Sequence, residues 1–369
     1  MNQDKPTDLT ESELLRRVFE DQETSLLGRY ACLSRNSKGR MVSENDCYIR
    51  TCFQRDTDRI THSEAFRRLK HKTQVFLSPT NDHFRTRLTH TLEVVGIARC
   101  IARCLRLNEN LAEAIGLGHD LGHTPFGHAG EEVLNEISET GFHHAAHSVR
   151  VVTKLEKGGA GLNLTMEVID GIAKHSKGRK GAISVTEGPD APLTLEAAIV
   201  RIADLIAYIN HDIDDAVRAG IIEIGDLPRE AVDLLGSRHS QRIHNMVKDI
   251  VKSSYDCGFI QMSKEVWEAT EVLRAFLYAE VYPRREINSE VEKSKKLLMQ
   301  MGHWFLENPS DLYKRLRHQP PPDQSVRQTL VDYLASMTDE FAVRMFNELF
   351  VPHFKLDIPS RPSKGSDVL

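Results

Sequence analysis

The chain has 369 residues, of which 40% are hydrophobic and 27% are charged. This composition is typical of a globular protein with enough apolar side chains for one large core or two fused cores. The formal net charge of −5 does not favour general attraction of polyanions, so such binding would require a local basic patch. No run of about 18 uncharged apolar residues occurs, which excludes a transmembrane helix. The N-terminus lacks the features of a secretory signal, and we therefore expect a cytoplasmic protein without membrane contact.

The six cysteines are scattered along the chain without a CxxC pair, which predicts reduced thiols. Cys100 and Cys104 lie four residues apart on a predicted helix, a spacing that would suit a metal site. Their neighbours Ile97, Ile101 and Leu105 favour packing in the core instead.

Helical periodicity dominates along the chain and predicts an all-α fold. Between residues 195 and 217, for example, isoleucines recur at three- and four-residue spacings. The segments with such a pattern are, in chain order, 11–19, 57–71, 88–107, 110–118, 164–174, 195–217, 229–235, 240–255, 265–282, 288–305 and 326–349. Proline, glycine and β-branched residues replace the helical spacing near 76–84 and 181–186, where we expect at most a short hairpin. Loops are predicted over 174–193 and over 318–323, whose three prolines cannot continue a helix.

The segment GLGHDLGHTPFGHAGEE, residues 116–132, holds His119, Asp120, His123 and His128. A metal site needs ligands from more than one element, because one helical turn presents only two or three side chains to a point. His119 and Asp120 are adjacent at the end of the apolar helix LAEAIGLG. A break in the chain there would let both side chains point into a common cavity.

Two further residues complete a candidate metal site. His90 lies in RLTHTLEVV, and Asp204 lies in IVRIADLIAYI, where a buried carboxylate is costly unless it is paired or coordinated. Taken singly, such a histidine is usually a packing residue and such an aspartate usually has a partner in a salt bridge or cap. Together with His119 and Asp120 they form a mixed nitrogen and oxygen set that suits Mn, Fe, Ni, Zn or Mg.

These motifs resemble the HD-domain superfamily, and specifically its deoxynucleoside triphosphate triphosphohydrolase (dGTPase-like) branch. The resemblance rests on RLTH, GHDLGHTPFGHAGEE and RIADLIAY, and on SRNSKGR, RDTDRITHSEAFRRLKHKTQVF, GFHHAAHSVRVV and VLRAFLYAEVY, and it covers about residues 30–285. It implies a helical HD-domain fold with additional C-terminal helices. The domains expected are a mobile segment at 1–24, an HD-type phosphohydrolase core at 25–285, C-terminal helices packed on it at 286–356 and a mobile tail at 357–369.

The resemblance also implies roles for particular residues. The metal ligands would be His90, His119, Asp120 and Asp204. The catalytic residues would be His123, His128, Glu131 and His144, and the substrate would contact Gln74, Arg87, Tyr208 and Asp212. At a spacing of three residues on a helix, Glu131 could fix the tautomer of His128. Without the resemblance, Glu131 would be interpreted as an exposed glutamate favoured by the helix dipole.

The segment FHHAAHS departs from the pattern FEHNAQS that is usual in the family. His143 stands where glutamate is common, and Ala145, Ala146 and His147 stand where asparagine and glutamine often occur. The contacts that those polar side chains make in the family are therefore not carried over to this chain. We interpret His143 and His147 as surface residues or as residues behind the site.

The implied reaction is hydrolysis of a dNTP to deoxynucleoside and tripolyphosphate by a homo-oligomer with a divalent metal ion. Basic residues of RRLKHK, at 67–72, could add contacts to the triphosphate. One alternative is another HD phosphohydrolase, either a nucleotidase or a phosphodiesterase. The other is a single-stranded nucleic-acid-binding or regulatory protein, for which the basic clusters 67–72 and 174–180 argue. The sequence leaves open the base preference, the metal and an effector, either a nucleotide or a single-stranded nucleic acid.

Overall fold

The computed structural model describes residues 11–75, 84–176 and 190–352. Strand-like pairing in these ranges is limited to two isolated bridges, Arg40 with Thr165 and Thr73 with Thr86, and the all-α prediction is confirmed. Sixteen α-helices are described: α1 (Glu11–Leu26), α2 (Cys52–Thr61), α3 (Glu64–Arg68), α4 (Arg87–Cys104), α5 (Glu109–Gly118), α6 (His128–Ile137), α7 (His144–Arg150), α8 (Met166–Lys174), α9 (Leu195–Arg218), α10 (Arg229–Leu235), α11 (His239–Ser254), α12 (Lys264–Phe276), α13 (Arg285–Glu307), α14 (Pro309–Arg315), α15 (Val326–Ala335) and α16 (Asp339–Phe350).

Two of the segments predicted as single helices are each divided into two helices by a polar N-cap residue. Segment 57–71 is divided at Ser63, whose hydroxyl accepts a hydrogen bond from the Phe66 N–H at 3.1 Å and starts α3. Segment 326–349 is divided at Thr338, whose hydroxyl accepts from the Phe341 N–H at 3.3 Å and starts α16. The N-cap oxygen accepts a hydrogen bond from a backbone N–H that would otherwise lack a partner at the start of the new helix. The break in the helix therefore costs little free energy.

The predicted loops and hairpins have different outcomes. The segment 318–323 is non-helical between α14 and α15, as predicted. The hairpin predicted near 76–84 or 181–186 lies almost wholly outside the described residues, as does most of the predicted loop 174–193. Across the described residues, no helix is both long and apolar enough to cross a membrane.

The first apolar cluster lies where α4 packs on α5 and α9, and where α5 packs on α2 and α8. Ile101, Ile115, Ile199 and Ile206 are fully buried in it. Cys100 and Cys104 are exposed, so the prediction that they pack in the core is wrong. The buried face of α4 passes through Ile101 and leaves both cysteines on the other side.

A second apolar cluster joins the C-terminal helices to α6. Leu134 of α6 is fully buried with Met301 and Phe305 of α13 and Leu334 of α15. At the other end of the chain, α1 occupies the described part of the segment 1–24, and the Glu23 carboxylate accepts hydrogen bonds from Ser34. The boundaries at 24, 285 and 356 stay predictions, and the tail 357–369 lies outside the described residues.

Candidate metal and acid–base site

Three of the four predicted metal ligands converge on one point. One donor atom each of His90, His119 and Asp204 lies within 4.8 Å of the others. The Nε2 atom of His90 is 3.1 Å from Asp204 Oδ1 and 3.4 Å from His119 Nε2. These residues come from α4, the end of α5 and the middle of α9, so packing of the three helices brings the set together.

Asp120 lies at the edge of this group. Its Oδ1 is 3.6 Å from His119 Nε2, and its Oδ2 is 3.9 Å from His90 Nε2. The same Oδ2 accepts a hydrogen bond from Arg87 Nη1 at 2.8 Å. Burial alone would raise the pKa of Asp120, but His119 and Arg87 outweigh it and hold that pKa well below its usual value. The carboxylate is therefore ionised, as a metal ligand must be.

Hydrogen bonds on the far side of both imidazole rings fix their orientation. His119 Nδ1 lies 2.7 Å from the Gly116 carbonyl oxygen, so Nδ1–H donates there and Nε2 presents its lone pair to the group. His90 Nδ1 lies 2.9 Å from His211 Nε2. A ligating histidine usually has its second nitrogen engaged in this way. The donor set therefore fits a divalent metal ion.

The contact to His90 continues through three residues. Sequence reasoning missed His211 and Tyr282 and predicted that Asp212 would contact the substrate. His211 Nδ1 lies 2.7 Å from Asp212 Oδ1, and Tyr282 Oη donates to Asp212 Oδ2 at 2.6 Å. Asp212 and His211 are buried. The sequence signals were the NHD triplet on the helix of Asp204 and the final tyrosine of VLRAFLYAEVY. Tyr208, one turn after Asp204, is half-buried, and burial raises its pKa above the usual value.

A second group of side chains surrounds Glu131. His128 Nδ1 lies 3.1 Å from Glu131 Oε2, and His144 Nδ1 lies 3.0 Å from Glu131 Oε1. Burial would raise the pKa of Glu131, but the hydrogen bonds to His128 and His144 outweigh it and hold that pKa far below its usual value. The His128 side chain is 74% exposed, whereas His144 is buried. An ionised carboxylate thus supports one imidazole that solvent or substrate can reach.

His123 completes this group. Its ring stacks on that of His144 with the centroids 4.8 Å apart, and its Nδ1 accepts a hydrogen bond from the Thr124 N–H at 3.1 Å. Burial lowers the pKa of His123 well below its usual value, so the ring is neutral. With Nδ1 as the acceptor, the neutral ring carries its proton on Nε2.

His175, which sequence reasoning did not select, joins the two groups. Its Nε2 lies 3.2 Å from His144 Nε2, and its ring centroid lies 5.0 Å from that of His119. His175 Nδ1 lies 2.8 Å from the Ile172 carbonyl oxygen, to which it donates. Burial lowers the pKa of His175 to about 3, so its Nε2 is a hydrogen-bond acceptor. The available sequence signal was the histidine that follows α8 in AKHS.

The segment FRRLKHKTQV, residues 66–75, is here called the upstream box, and it lies against the loop that carries His123. Lys72 is buried, and its ammonium group donates to the carbonyl oxygens of His123 and Ala335. It therefore holds the loop, which differs from the triphosphate contact considered for that box. The side-chain Oε1 of Gln74 is buried and has no hydrogen-bond partner among the described residues. The backbone carbonyl of Gln74 accepts from Arg87 Nη2 at 3.4 Å, so both predicted substrate residues lie side by side.

Comparison with known proteins gives consistent matches. Residues 87–209 match the HD domain family, and residues 260–348 match the phosphohydrolase-associated domain family. A deoxyguanosinetriphosphate triphosphohydrolase-like protein of Caldanaerobacter subterraneus is 51% identical over 341 residues, which cover 92% of this chain and 96% of that protein. Proteins of the same name from Desulfatibacillum aliphaticivorans and Clostridium tetani are 48% and 43% identical over 346 residues. Each match covers 92% of this chain, with 98% and 97% of the respective relative.

Proposed function

Since the chain belongs to the deoxyguanosinetriphosphate triphosphohydrolase-like family of HD-domain proteins, we propose that it hydrolyses deoxynucleoside triphosphates to deoxynucleoside and tripolyphosphate. The observation that carries this proposal is the pairing of two groups, the histidine and aspartate set around His90 and the imidazoles around Glu131, with His175 between them. Hydrolysis at phosphorus needs stabilisation of developing negative charge and a proton for the leaving oxygen. The set around His90 would supply the charge stabilisation, and the imidazoles around Glu131 would supply the proton.

His90, His119, Asp120 and Asp204 would hold a divalent ion, which could be Mn, Mg, Fe, Ni or Zn. When bound, such an ion polarises a phosphoryl oxygen and makes a bound water more acidic. Arg87 keeps Asp120 ionised and adds positive charge beside the set. His211 and the Gly116 carbonyl hold the two imidazoles in the orientation that ligation requires.

The imidazole group carries the proton transfer in this proposal. Water adds its oxygen to the α-phosphorus and gives up one proton, the bond from phosphorus to the 5′-oxygen breaks, and that oxygen takes up one proton, so the number of protons is unchanged. His128, supported by Glu131, is the donor that we propose, because it is exposed towards an incoming substrate. His123 donates from Nε2 to a phosphoryl oxygen, and His144, between Glu131 and His175, contacts the phosphates.

The remaining parts of the proposal concern the sugar contacts, the localisation, the oligomeric state and an effector. We assign Gln74 and Asp212 to the sugar 3′-hydroxyl and Tyr208 to the phosphates. The Oε1 atom of Gln74 has no hydrogen-bond partner among the described residues, which supports its assignment to the hydroxyl. The Asp212 carboxylate would have to accept hydrogen bonds from both Tyr282 and the substrate. The proposal also includes a cytoplasmic homo-oligomer and leaves room for a nucleotide or single-stranded nucleic acid as an effector.

The test is to incubate the purified protein with each dNTP and Mn or Mg and to separate the products. Deoxynucleoside together with tripolyphosphate is the expected result. Release of monophosphate or diphosphate, or no turnover with either metal, would contradict the proposal.

Two variants separate proton transfer from metal binding. His128→Ala should abolish turnover and leave the metal content nearly unchanged, because its ring lies outside the set around His90. Asp204→Ala should lose both. His62→Ala, which removes an exposed histidine elsewhere, should keep both. Metal content is measured by elemental analysis of each protein, and turnover with the same product separation.

A further inference from the structure

Glu131 and the start of α7 form a group of metal-ligating side chains that shares no residue with the set around His90. One donor atom each of Glu131, His143 and His144 lies within 4.8 Å of the others. His144 is buried and Glu131 is partly buried, whereas His143 is exposed. An ion can therefore reach this group from solvent without opening the core.

Both oxygens of the Glu131 carboxylate lie within hydrogen-bond distance of His144 Nδ1, at 3.0 Å for Oε1, and Oε2 also faces His128. Oε1 accepts a hydrogen bond from the backbone N–H of His144 at 2.8 Å. Oε2 lies 3.2 Å from His144 Nδ1 and 3.1 Å from His128 Nδ1. Tetrahedral zinc, with ligands at roughly 2.0–2.2 Å, places neighbouring donor atoms about 3.3 Å apart. The contact between Oε2 and His144 Nδ1 is close to that spacing, and an ion bound there would displace the Nδ1 proton to solvent.

His143 is the third member of this group. Its Nδ1 accepts a hydrogen bond from the Ala145 N–H at 3.3 Å, which holds the ring at the start of α7. Its ring stacks on that of His144 with the centroids 4.7 Å apart. Two imidazoles and one carboxylate with an open position make a set that zinc and other imidazole-preferring metals take up.

We propose that Glu131, His143 and His144 form a second metal site, which binds Zn²⁺ and inhibits the enzyme. The inhibitory part rests on the proposed function, because the ion occupies the oxygen of Glu131 that supports His128 and takes His144 away from the phosphates. The site is separate from the resident metal, so its occupancy should depend on the concentration of free zinc. Zinc in excess of the amount bound by the His90 set then inhibits hydrolysis.

The binding test uses the protein with its resident metal in place and titrates Zn²⁺ against a chromogenic chelator. The variant is His143→Gln, and His62→Gln is a control that removes an exposed histidine outside the site. Wild type and the control should bind one more zinc ion per chain than His143→Gln, or should bind it roughly 100-fold more tightly. Loss of a residue that only hydrogen-bonds a metal ligand already costs roughly 10–100-fold in metal affinity, and loss of the ligand itself should cost at least as much. Equal zinc binding by all three proteins, or no additional zinc in the wild type, would refute the site.

The activity test repeats dNTP hydrolysis with rising Zn²⁺ at constant Mn. Wild type should lose activity at a zinc concentration at least tenfold lower than His143→Gln, whereas exchange of zinc into the His90 set would affect both proteins equally. Coincident inhibition curves would refute the inhibitory role. If no dNTP is hydrolysed at all, the proposed function fails, and the binding test still decides whether the site exists.

Discussion

Gly122 shows how one residue without a side chain allows the candidate site to form. A Cβ atom built there would lie 2.1 Å from the Ser148 backbone nitrogen, because the loop after Asp120 passes directly against α7. The Gly122 N–H donates to Ser148 Oγ at 2.9 Å, and that hydroxyl donates to the His119 carbonyl at 2.7 Å. Ser148 therefore links α7, which begins at His144, to the backbone of His119 and of the loop that leads to His123.

Gly122→Ala should lower the free energy of unfolding by at least the roughly 1–3 kcal/mol typical of overpacking, because the added methyl meets backbone that cannot move aside alone. Metal affinity should fall with it, since His119 and Asp120 shift. Gly96→Ala is the matched control, because nothing lies within 4 Å of a Cβ at that helical position. The control should be neutral or up to about 1 kcal/mol more stable. Urea unfolding of both variants tests this, and equal stabilities would contradict it.

His147, which we interpreted as a surface residue or one behind the site, is buried, with Nδ1 3.9 Å from Asp332 Oδ1. Burial outweighs that carboxylate and lowers the pKa of His147 from 6.5 to about 4. Between these two pH values the unfolded chain binds a proton that the folded protein does not. Stability from the neutral ring is therefore complete above pH 6.5 and is lost as the pH falls towards 4.

His147→Gln should flatten the dependence of unfolding free energy on pH across this window by roughly 1–3 kcal/mol. The comparison is made between stability curves for the variant and wild type, because carboxylates titrate equally in both. His62→Gln, at an exposed position, should give a curve parallel to wild type. A parallel curve for His147→Gln as well would mean that the buried ring is not the cause.

At the scale of elements, α9 illustrates how one helix serves several parts of the site. Four site residues follow one another on α9 at helical spacings: Asp204, Tyr208, His211 and Asp212. Asp204 lies at the metal group, His211 contacts His90, and Asp212 accepts a hydrogen bond from Tyr282. Tyr208 is half-buried and packs against the first apolar cluster. Residues three, four, seven and eight apart share a helix face, so the spacing alone places them together. Their partners lie on α4 and after α12, and these come from packing.

Helix α16 connects the C-terminal region to the loop of the site. Asp339, in its first turn, accepts hydrogen bonds from the Thr73 N–H and from the Phe126 N–H, both at 2.9 Å. These two donors belong to the upstream box and to the turn before His128. Phe126 has a positive φ of 60°, a conformation that costs energy in a residue with a side chain and needs support from its surroundings.

Asp339→Ala should lower the free energy of unfolding by about 1–3 kcal/mol, because two backbone donors lose their acceptor. It should also reduce the catalytic rate more than substrate affinity, since the turn that positions His128 loosens. Glu340→Ala removes the same charge from the next, exposed position of α16 and should change neither property. Denaturant unfolding and steady-state kinetics of both variants are the measurements. Equal effects of the two substitutions would exclude the Asp339 contacts as the cause.

At the scale of the whole molecule, the second apolar cluster makes the C-terminal helices part of the candidate site. Helix α6 carries His128 and Glu131 on its first turn and buries Leu134 against α13 and α15. The position of His128, the proposed proton donor, therefore depends on helices more than 150 residues later in the chain. This dependence gives a structural reason for the joint presence of the two matched families, at 87–209 and 260–348.

Leu334→Ala should cost about 2–5 kcal/mol of stability, because Leu334 is fully buried beside α6 and leaves a cavity. Amide hydrogen exchange in α6 should accelerate more than exchange in α4 or α9. Val343→Ala on α16 is the control, since Val343 is 42% exposed and its loss should cost within about 0.5 kcal/mol. Exchange that rises uniformly over the molecule would show that the second cluster does not support α6 specifically.

The helical class, the two halves of the candidate site and the family could be predicted without coordinates. The structure confirms the class, and the relatives confirm the family. Helical periodicity is a local property of the chain, so the helical class could be predicted directly, whereas the pairing of His128 with Glu131 followed from the family resemblance. Their predicted pairing is present at 3.1 Å. The roles assigned to the individual site residues stay predictions.

The other residues that complete the site could be identified only from the packing of the helices. His175 contacts a ring 31 positions away, His211 contacts one 121 positions away, and Tyr282 bonds a carboxylate 70 positions away. Lys72 was readable as a phosphate ligand until its burial against two carbonyl groups became visible. Such contacts depend on which helix faces pack together, and packing of apolar surfaces is non-directional, so no local pattern in the chain records its outcome.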